Sequence, residues 1–517
     1  MSVAKQAYDY IVVGAGTSGC ALAYRLVTES QASVLLIEAG GRDEAAAIHS
    51  EQLSDTLSLW GNPELNWGYV TEPQAAMDGR EIPVARGKVW GGCSAINAIL
   101  HVRGNPKDFD TWNYLGNEGW SYEEVLPYFK KLETFSSGDP RYRGHDGPVN
   151  VIVHDKPSPV SECLFDAAAE LGFANQGRDF DYNGASQAGS PFYYQANKKD
   201  HQRFSAATAY LHPILERSNF TVHSHSQVTE LLFEGSRVTG VRCWREGQQE
   251  DIVANQEVIL CGGAYETPKL LMLSGIGPAQ TLKNHGITLR QDSPGVGQNL
   301  QDHMILGVCY LSQHEHPHAP VLISETGLFT HSKEGLSSAS PDLQIKCGGL
   351  KFVSPQYDRD GPGFTFAPVL TQPQSSGYVT LRSNNPRDTA ILQPNYLSSE
   401  ADMQVFLKGI ALMREFAHSQ AFQEFYKLEI APGEEVRDEA GLRAFIRENA
   451  STLWHPVGTC KMGHDAMAVV SPSLHVWGVE GLRIADASVM PRIVAGNTNA
   501  ACYMIGEKAA AMILASA

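Results

Sequence analysis

A glycine-rich segment near the start of the chain could bind the phosphates of a dinucleotide. Gly14, Gly16 and Gly19 are spaced as GxGxxG between an apolar run and a segment of helical composition. Gly14 would permit a tight turn, Gly16 would let the backbone approach a pyrophosphate, and Gly19 would let helix and strand pack closely. The N-terminus of the helix that follows, close to Thr17 and Ser18, would offer N–H groups and the positive end of its dipole to the phosphates.

An acidic residue follows the motif at the distance that such a site requires. Glu38, with Ala39 after it, lies at the end of the next apolar run, 19 residues past Gly19. There a carboxylate accepts hydrogen bonds from ribose hydroxyls and disfavours a 2′-phosphate. Because the chain holds 48 glycines in 517 residues, GxGxxG alone would carry little weight. The strand, the helix and the acid together predict a dinucleotide site, and they leave NAD and FAD both open.

Possible metal ligands occur in the run 314–318, whose sequence is His-Glu-His-Pro-His. Pro317 interrupts regular geometry and the run has the composition of an exposed loop, so we do not expect a metal site there. The nine cysteines form no CxxC pair, which argues against a zinc site and against a disulfide framework. This cysteine usage fits a reducing cytoplasm.

The composition excludes several classes of protein. The chain has 40 Lys and Arg against 57 Asp and Glu, a formal net charge of −17, without a long basic run. This argues against nucleic acid binding and against a polybasic membrane patch. No window reaches the roughly 18 consecutive apolar residues of a membrane span, and residues 1–7 lack the pattern of a secretory signal. We therefore expect a globular, cytoplasmic protein.

The elements that must position the glycine motif are a strand, a turn, a helix and a second strand. The strands are predicted at Tyr8 to Val13 and at Val34 to Ile37, and the helix at Cys20 to Val27. This order within about 30 residues is typical of a βαβ unit in a parallel sheet. The same patterns predict helices from Thr267 and from Thr498, and further strands at Val228 to Phe233, Val238 to Trp244 and Asp251 to Ile259.

Five ordered blocks of sequence resemble the glucose-methanol-choline family of FAD-dependent oxidoreductases. The resemblance extends from the first strand to the last helix and favours FAD over NAD. The blocks contain the runs Arg86-Gly87-Lys88-Val89-Trp90-Gly91-Gly92, Gly263-Ala264-Tyr265-Glu266-Thr267-Pro268, Asn299-Leu300-Gln301-Asp302-His303, Trp454-His455-Pro456-Val457-Gly458-Thr459 and Gly496-Asn497-Thr498-Asn499.

The resemblance implies an α/β and α+β fold. A Rossmann-like FAD-binding domain would be combined with a substrate domain whose antiparallel sheet is flanked by helices, and 517 residues are enough for two such units. We predict the FAD-binding domain at 1–150, 201–303 and 451–517, and the substrate-binding domain at 151–200 and 304–450. The active site would lie at the junction of the two domains.

The resemblance also implies which residues bind the cofactor. Gly91, Gly92 and the residues up to Asn97 would bring bare backbone against the flavin and the diphosphate. Ile96 occupies a position at which some relatives bond covalently to the flavin through a histidine, so we expect non-covalent FAD. The predicted cofactor-binding residues are Gly14, Gly16, Thr17, Ser18, Gly19, Glu38, Ala39, Arg86, Gly91, Gly92, Asn97, Ala98, Val228, Asp486, Ala487 and Asn499.

Alcohol oxidation by hydride transfer needs a base for the hydroxyl proton and a hydrogen-bond donor for the forming alkoxide. The family carries a histidine and, about 40 residues later, a histidine or an asparagine; here these are His455 and Asn497, 42 residues apart. The resemblance implies that His455 takes the proton, that Asn497 orients the substrate and that hydride passes from the carbinol carbon to flavin N5. Oxygen or another acceptor would then take the electrons. We expect oxidation of a small or aromatic primary alcohol to an aldehyde.

Three alternatives stay open. Glu325 resembles a position that faces the substrate's cation in choline-oxidising relatives, and with Trp454 and Trp67 it could form a cage for a quaternary ammonium group through cation–π attraction. The family's scaffold also hosts lyase and light-driven decarboxylase reactions, since fold does not determine function. A non-catalytic flavoprotein is the third alternative. The sequence gives no indication of the oligomeric state.

Overall fold

The computed structural model describes residues 6–174, 176–315, 321–333, 335–336 and 339–516. Its first large sheet has seven strands, with four parallel pairings and, at one side, a three-stranded antiparallel ribbon. In spatial order the strands are Phe220–His223, Val34–Ile37, Ala7–Val13, Gln248–Leu260, Arg237–Arg245 and Ser226–Glu234, with Leu482–Ile484 as a further partner of Gln248–Leu260.

The first helix is held between this sheet and the last helix. Thr17–Glu29 follows the first strand after a short turn, and Asn499–Ser516 crosses it. A Cβ on Gly506 would lie only 2.4 Å from the carbonyl oxygen of Ser18, so glycine is required at this crossing. Arg25 and Glu507 add an ion pair of 2.7 Å between the same helices.

The second large sheet has eight strands, and all of its pairings are antiparallel. In spatial order its main strands are Tyr426–Ala431, Val308–Ser312, Gly363–Leu370, Leu343–Gly348, Thr326–Thr330 and Pro191–Tyr193. Met304–Ile305 pairs with both Gly363–Leu370 and Ser451–Thr452. The strands are buried throughout much of their length because helices cover one face of the sheet.

The helix Glu400–Ala417 packs directly on this second sheet. Gly409 allows the close approach, since a Cβ at this position would lie 2.7 Å from a side-chain carbon of Pro368. Phe416 and Phe422 then place their rings against Phe366, with centroids 5.9 Å and 5.0 Å away. Aromatic pairs at these distances add stability beyond the area that they bury.

The remaining elements connect the two sheets. The other helices are Ala46–His49, Leu53–Trp60, Cys93–Ile96, Pro106–Tyr114, Tyr122–Leu132, Pro159–Glu170, Gly263–Leu273, Ala279–Asn284 and Glu439–Asn449, with short helical turns at Ala75–Met77, Ala207–Leu211, His212–Ile214, Gln420–Phe422 and Ala487–Val489. Short strands lie at Tyr69–Val70, Pro83–Val84, Glu133–Phe135, Val149–Val153, Gln195–Ala196, Lys198–Lys199, Gln202–Arg203, Ile276–Gly277, Gln291–Asp292, Tyr378–Thr380 and Ile391–Gln393.

The fold confirms the predicted class, a Rossmann-like sheet combined with an antiparallel sheet and its helices. The strand Val34–Ile37 has the predicted bounds, whereas the first helix begins at Thr17, before the predicted start at Cys20. The division of the chain into domains stays a prediction. The strand Ser451–Thr452 belongs by its pairing to the second sheet, although the predicted boundary would assign it to the FAD-binding domain.

Two predictions concern features outside the two sheets. Residues 316–318 of the run that contains possible metal ligands lie outside the described residues. Among those that are described, no group of three His, Cys, Asp or Glu side chains is arranged to hold a metal ion. No helix in the described ranges is both long enough and apolar enough to cross a membrane.

Candidate active site

A cavity of about 570 Å³ is lined by residues from both sheets. It extends from the glycine turn after the first strand to His455 and Asn497, and the second sheet contributes Lys346, Thr365 and Ala367 to its wall. Cavities of this size are typical of small-molecule and cofactor sites. Sixteen of the residues predicted for cofactor binding and catalysis line it: Gly14, Gly16, Thr17, Ser18, Glu38, Ala39, Arg86, Gly92, Asn97, Ala98, Val228, Asp486, Ala487, Asn499, His455 and Asn497.

The glycine turn has the close backbone contacts that its sequence predicts. Gly14 has a φ of +109°, and a Cβ there would lie 2.5 Å from the carbonyl oxygen of Cys261. A Cβ on Gly19 would lie 1.9 Å from the carbonyl oxygen of Gly14, so Gly19 packs the helix on the strand and does not line the cavity. At Gly16, by contrast, a Cβ would have no atom within 4 Å, and this backbone faces open space that a phosphate could fill.

A second glycine pair closes over this turn. The N–H of Gly91 donates to the carbonyl oxygen of Ala15 at 2.8 Å. Gly92 has a φ of +52°, and a Cβ there would lie 2.8 Å from the Cα of Gly16. Gly91 therefore supports the turn without lining the cavity, whereas Gly92 lines it.

Glu38 is held at the cavity wall by two backbone donors. Its Oε2 accepts from the N–H of Ala15 at 2.9 Å, and its Oε1 accepts from the N–H of Gly40 at 2.8 Å. Burial is the main cause that raises the pKa of Glu38 to about 7, and the two N–H groups act in the opposite direction. Each carboxylate oxygen keeps a lone pair, so the geometry fits acceptance of ribose hydroxyl donors.

The first and last helices begin side by side at the cavity. Thr17 opens the first helix and donates through Oγ1 to Oδ1 of Asn499, at 2.7 Å, where the last helix begins. The positive ends of two helix dipoles therefore meet at the cavity, which favours the negative charge of a diphosphate. This arrangement, together with Glu38, fits the expected dinucleotide cofactor.

The carboxylate of Asp486 is engaged in holding the adjacent turns. Its Oδ2 accepts from the N–H of Gly263 at 2.9 Å and from Oγ1 of Thr267 at 2.6 Å, and its Oδ1 accepts from the N–H of Ser488 at 2.8 Å. Any contact from Asp486 and Ala487 to the cofactor would therefore come chiefly from their backbone.

The block around Arg86 supports the other side of the cavity. Arg86 donates through Nη1 to the carbonyl oxygen of Trp454 at 2.6 Å, which links this block to the residue before His455. Asn97 accepts at Oδ1 from the guanidinium of Arg203 at 2.9 Å. Ile96 is 3% exposed and lines the cavity with an aliphatic side chain. Such a side chain offers no atom for a covalent flavin bond.

His455 belongs to a chain of hydrogen bonds that determines which of its ring nitrogens carries hydrogen. His303 directs Nε2 at the carbonyl oxygen of Thr371, 3.0 Å away, and Nδ1 at the Nδ1 of His455, also 3.0 Å away. A carbonyl can only accept, so Nε2 of His303 is the donor and, in the neutral ring, its Nδ1 must accept. His455 therefore donates through Nδ1, and its Nε2 is left with a free lone pair.

Asn497 faces this lone pair. Its amide nitrogen lies 3.3 Å from Nε2 of His455 and can donate to it. Its Oδ1 is buried and has no hydrogen-bond partner among the described residues. A hydroxyl group in the cavity could therefore meet an acceptor, Nε2 of His455, next to an amide N–H of Asn497.

The electrostatics of the pair favour neutral rings. Burial lowers the pKa of His303 to about 3. Burial is also the main reason that the pKa of His455 lies well below its usual value, and the neighbouring His303 and Lys346 lower it further. Neutral imidazoles are what the chain of hydrogen bonds requires, and His455 stays able to accept a proton at neutral pH.

Asp302 positions the backbone of His455. Its Oδ1 accepts from the N–H of His455 at 2.7 Å, and its other oxygen accepts from the hydroxyls of Thr452 and Tyr396. The sequence showed Asp302 and His303 only as part of a block, without a role. His303 and His455 are separated by 152 positions in the sequence, so no local pattern indicates that they are in contact.

The residues predicted for a cationic substrate are not arranged as a cage. Glu325 does not line the cavity, because its Oε2 accepts from Ser158 and Ser161 and its Oε1 lies 3.7 Å from His154. Trp67 and Trp454 do line it. The ring of Trp67, however, stacks on the ring of Tyr69, with centroids 5.9 Å apart, and the ammonium of Lys88 lies 4.9 Å from the centroid of the Trp67 ring. The structure thus corrects the predicted placement of Glu325.

Comparison with known proteins gives clear relatives. Sequence profiles described as GMC oxidoreductase match residues 8–305 and 373–506. Mitochondrial choline dehydrogenase of Homo sapiens is 38% identical, over 99% of this chain and 90% of that protein. An alcohol dehydrogenase (acceptor) of Pseudomonas putida is 37% identical, over 98% and 96%. The crystal structure of pyridoxine 4-oxidase from Mesorbium loti has a TM-score of 0.91 at 31% identity, and the match covers 97% and 98% of the two chains.

These relatives cover almost the whole chain at more than 30% identity. They confirm the resemblance drawn from the five sequence blocks and confirm FAD as the cofactor. The protein is accordingly an oxidoreductase that uses FAD and acts on the CH–OH group of its donors. By its two matched ranges and its full-length relatives, the chain belongs to the GMC oxidoreductase family.

Proposed function

We propose that this enzyme oxidises a primary alcohol, small or aromatic, to an aldehyde, with His455 as the base. The observation that carries the proposal is the chain from the Thr371 carbonyl through His303 to His455, with its two contacts of 3.0 Å. It leaves Nε2 of His455 unprotonated and directed toward Asn497. A hydroxyl proton can therefore move to Nε2 as the carbinol carbon loses hydride.

Asn497 is the residue that orients the substrate. In the free enzyme its amide N–H faces Nε2 of His455. An alkoxide that forms between the two side chains would receive this N–H as a hydrogen bond, and a donor placed in advance costs no reorganisation during the reaction.

The predicted cofactor residues are proposed to hold FAD without a covalent bond. Glu38 would accept from the adenosine ribose, and the two helix starts at Thr17 and Asn499 would face the diphosphate. Bound FAD supplies the two-electron acceptor that the reaction needs. Ile96 offers no group for a covalent link, so we expect the cofactor to dissociate when the protein unfolds.

Choline is a second candidate substrate. It is favoured by the 38% identity to proteins named choline dehydrogenase and by the two indole rings of Trp67 and Trp454 at the cavity wall. The placement of Glu325 outside the cavity removes the carboxylate that was predicted to balance its charge. Small and aromatic alcohols therefore remain the preferred proposal.

The test is anaerobic mixing of the purified yellow protein with benzyl alcohol, a short aliphatic alcohol and choline, while the visible flavin absorption is recorded. Bleaching by the neutral alcohols supports the proposal, and admission of air then separates an oxidase from a dehydrogenase. Bleaching by choline alone would replace it with the second candidate. A flavin that no alcohol bleaches would contradict both and would favour a lyase, a light-driven decarboxylase or a non-catalytic flavoprotein.

A further inference from the structure

A buried lysine lies in the wall of the cavity without a carboxylate partner. Lys346 is 4% exposed and belongs to the strand Leu343–Gly348 of the antiparallel sheet. Its ammonium lies 3.3 Å from the hydroxyl of Tyr194 and 4.6 Å from the centroid of the same ring. Within the described part of the chain, Lys346 forms no ion pair, and its ammonium donates one hydrogen bond, to the hydroxyl of Tyr194.

This is an unusual position for a lysine, because burial of an unpaired ammonium is costly. Burial alone lowers the pKa of Lys346 to about 7. The nearest acidic residue along the paired strand Thr326–Thr330 is Glu325, and its carboxylate is directed at Ser158 and Ser161 instead. Two of the three ammonium hydrogens therefore have no acceptor within the described part of the chain, and Lys346 lines the cavity.

Lys346 also lies near the proposed catalytic pair. Its positive charge acts on both His303 and His455, whose pKa values it lowers. The rest of this side of the wall is largely apolar, with Ile305, Ile323, Leu350, Phe352 and Ala367. Apart from the neutral polar residues Ser324 and Thr365, Lys346 is the polar group among these apolar side chains, which is the pattern of a site that orients a substrate by one charged group.

We propose that Lys346 binds a carboxylate of the substrate, so that the preferred substrates are primary alcohols that also carry one carboxylate. The inference rests on the proposed alcohol oxidation and adds the substrate class. A single ammonium balances a monoanion, which favours a carboxylate over a phosphate dianion. A quaternary ammonium alcohol such as choline would meet a like charge in the same cavity.

The test compares 4-(hydroxymethyl)benzoate with its neutral analogue 4-(hydroxymethyl)benzamide in anaerobic flavin reduction by the holoenzyme. A hydrogen bond to a charged group is stronger than one between neutral groups, so the wild type should prefer the carboxylate by about tenfold or more in kcat/KM. Lys346→Met should remove this preference, so that the kcat/KM values for the carboxylate and the amide lie within about threefold of each other, and Lys346→Arg should restore part of it. Lys508→Met is the matched control, because Lys508 is also buried but lies against Trp120 and Tyr128, outside the cavity wall.

Three results would overturn the inference while leaving alcohol oxidation intact. These are a wild type that oxidises the amide as well as the carboxylate, a Lys346→Met variant that slows both substrates equally, and a wild type that prefers choline. If Lys346→Met does not fold, the comparison of the carboxylate with the amide in the wild type still tests the inferred substrate class. Absence of bleaching by every alcohol would instead remove the proposed function on which the inference depends.

Discussion

The chain of hydrogen bonds behind His455 predicts that His303 controls catalysis without touching the substrate. In His303→Leu, the buried Nδ1–H of His455 loses the acceptor that lies 3.0 Å away. A buried donor without a partner costs roughly 1–3 kcal/mol, and the ring avoids this cost by moving its hydrogen to Nε2. The tautomer of His455 that has a free lone pair at Nε2 then lies higher in free energy by the same amount, and it is less populated. We expect flavin reduction to slow by about 5- to 150-fold, since each 1.36 kcal/mol changes a rate about tenfold.

The assay is anaerobic single-turnover reduction of bound FAD at saturating alcohol, so that binding and chemistry are separated. His303→Gln is the matched control, because its amide can donate to the Thr371 carbonyl and accept from His455 as the imidazole does. We expect the Gln variant to recover much of the rate and both variants to keep their FAD. A His303→Leu variant that reduces FAD as fast as the wild type would refute this role of His303.

Three further predictions follow from the same site. Asn497→Ala should slow flavin reduction by about 10²–10³-fold, as loss of one preorganised donor does elsewhere, and an unchanged rate in stopped-flow would exclude its role. Burial lowers the pKa of His455 below 6.5, so this base stays neutral as the pH falls. The rate of flavin reduction should therefore be constant from about pH 7.5 to about pH 5.5, whereas a base with the ordinary histidine pKa would lose about tenfold in rate over this range. Since Ile96 offers no linking atom, acid precipitation should leave FAD in the supernatant, and a yellow pellet would show a covalent bond.

Local patterns were sufficient to predict the part of the fold that binds the cofactor. The apolar run at Val34–Ile37 is a buried strand with the predicted bounds, and the predicted strands at Ser226–Glu234, Arg237–Arg245 and Gln248–Leu260 were found within a few residues, whereas the strand Phe220–His223 was not predicted. Apolar and β-branched runs bounded by polar turns mark these strands locally, so composition and glycine position suffice. The contacts of Gly14 and Gly19 agree with the packing that their spacing requires.

The substrate side of the cavity could not be predicted in this way. His303, Asp302 and His455 meet through pairings between distant segments, and no local pattern reports such pairings. Glu325 was expected to face a cation, but Ser158 and Ser161, more than 160 residues earlier, hold its carboxylate outside the cavity. The sequence around Lys346 does not distinguish it from any other strand residue, and only the folded sheet shows that it lies beside the cavity.

The central claim is that His455 takes the substrate proton as hydride leaves the carbinol carbon. The most direct measurement is the rate constant for bleaching of bound FAD after anaerobic mixing of the best alcohol with the wild type and with His455→Ala. Loss of a positioned base typically costs about 10²–10⁴-fold, so the variant should stay yellow, with FAD bound, and reduce slower by that factor. A variant that bleaches at the wild-type rate would contradict the account.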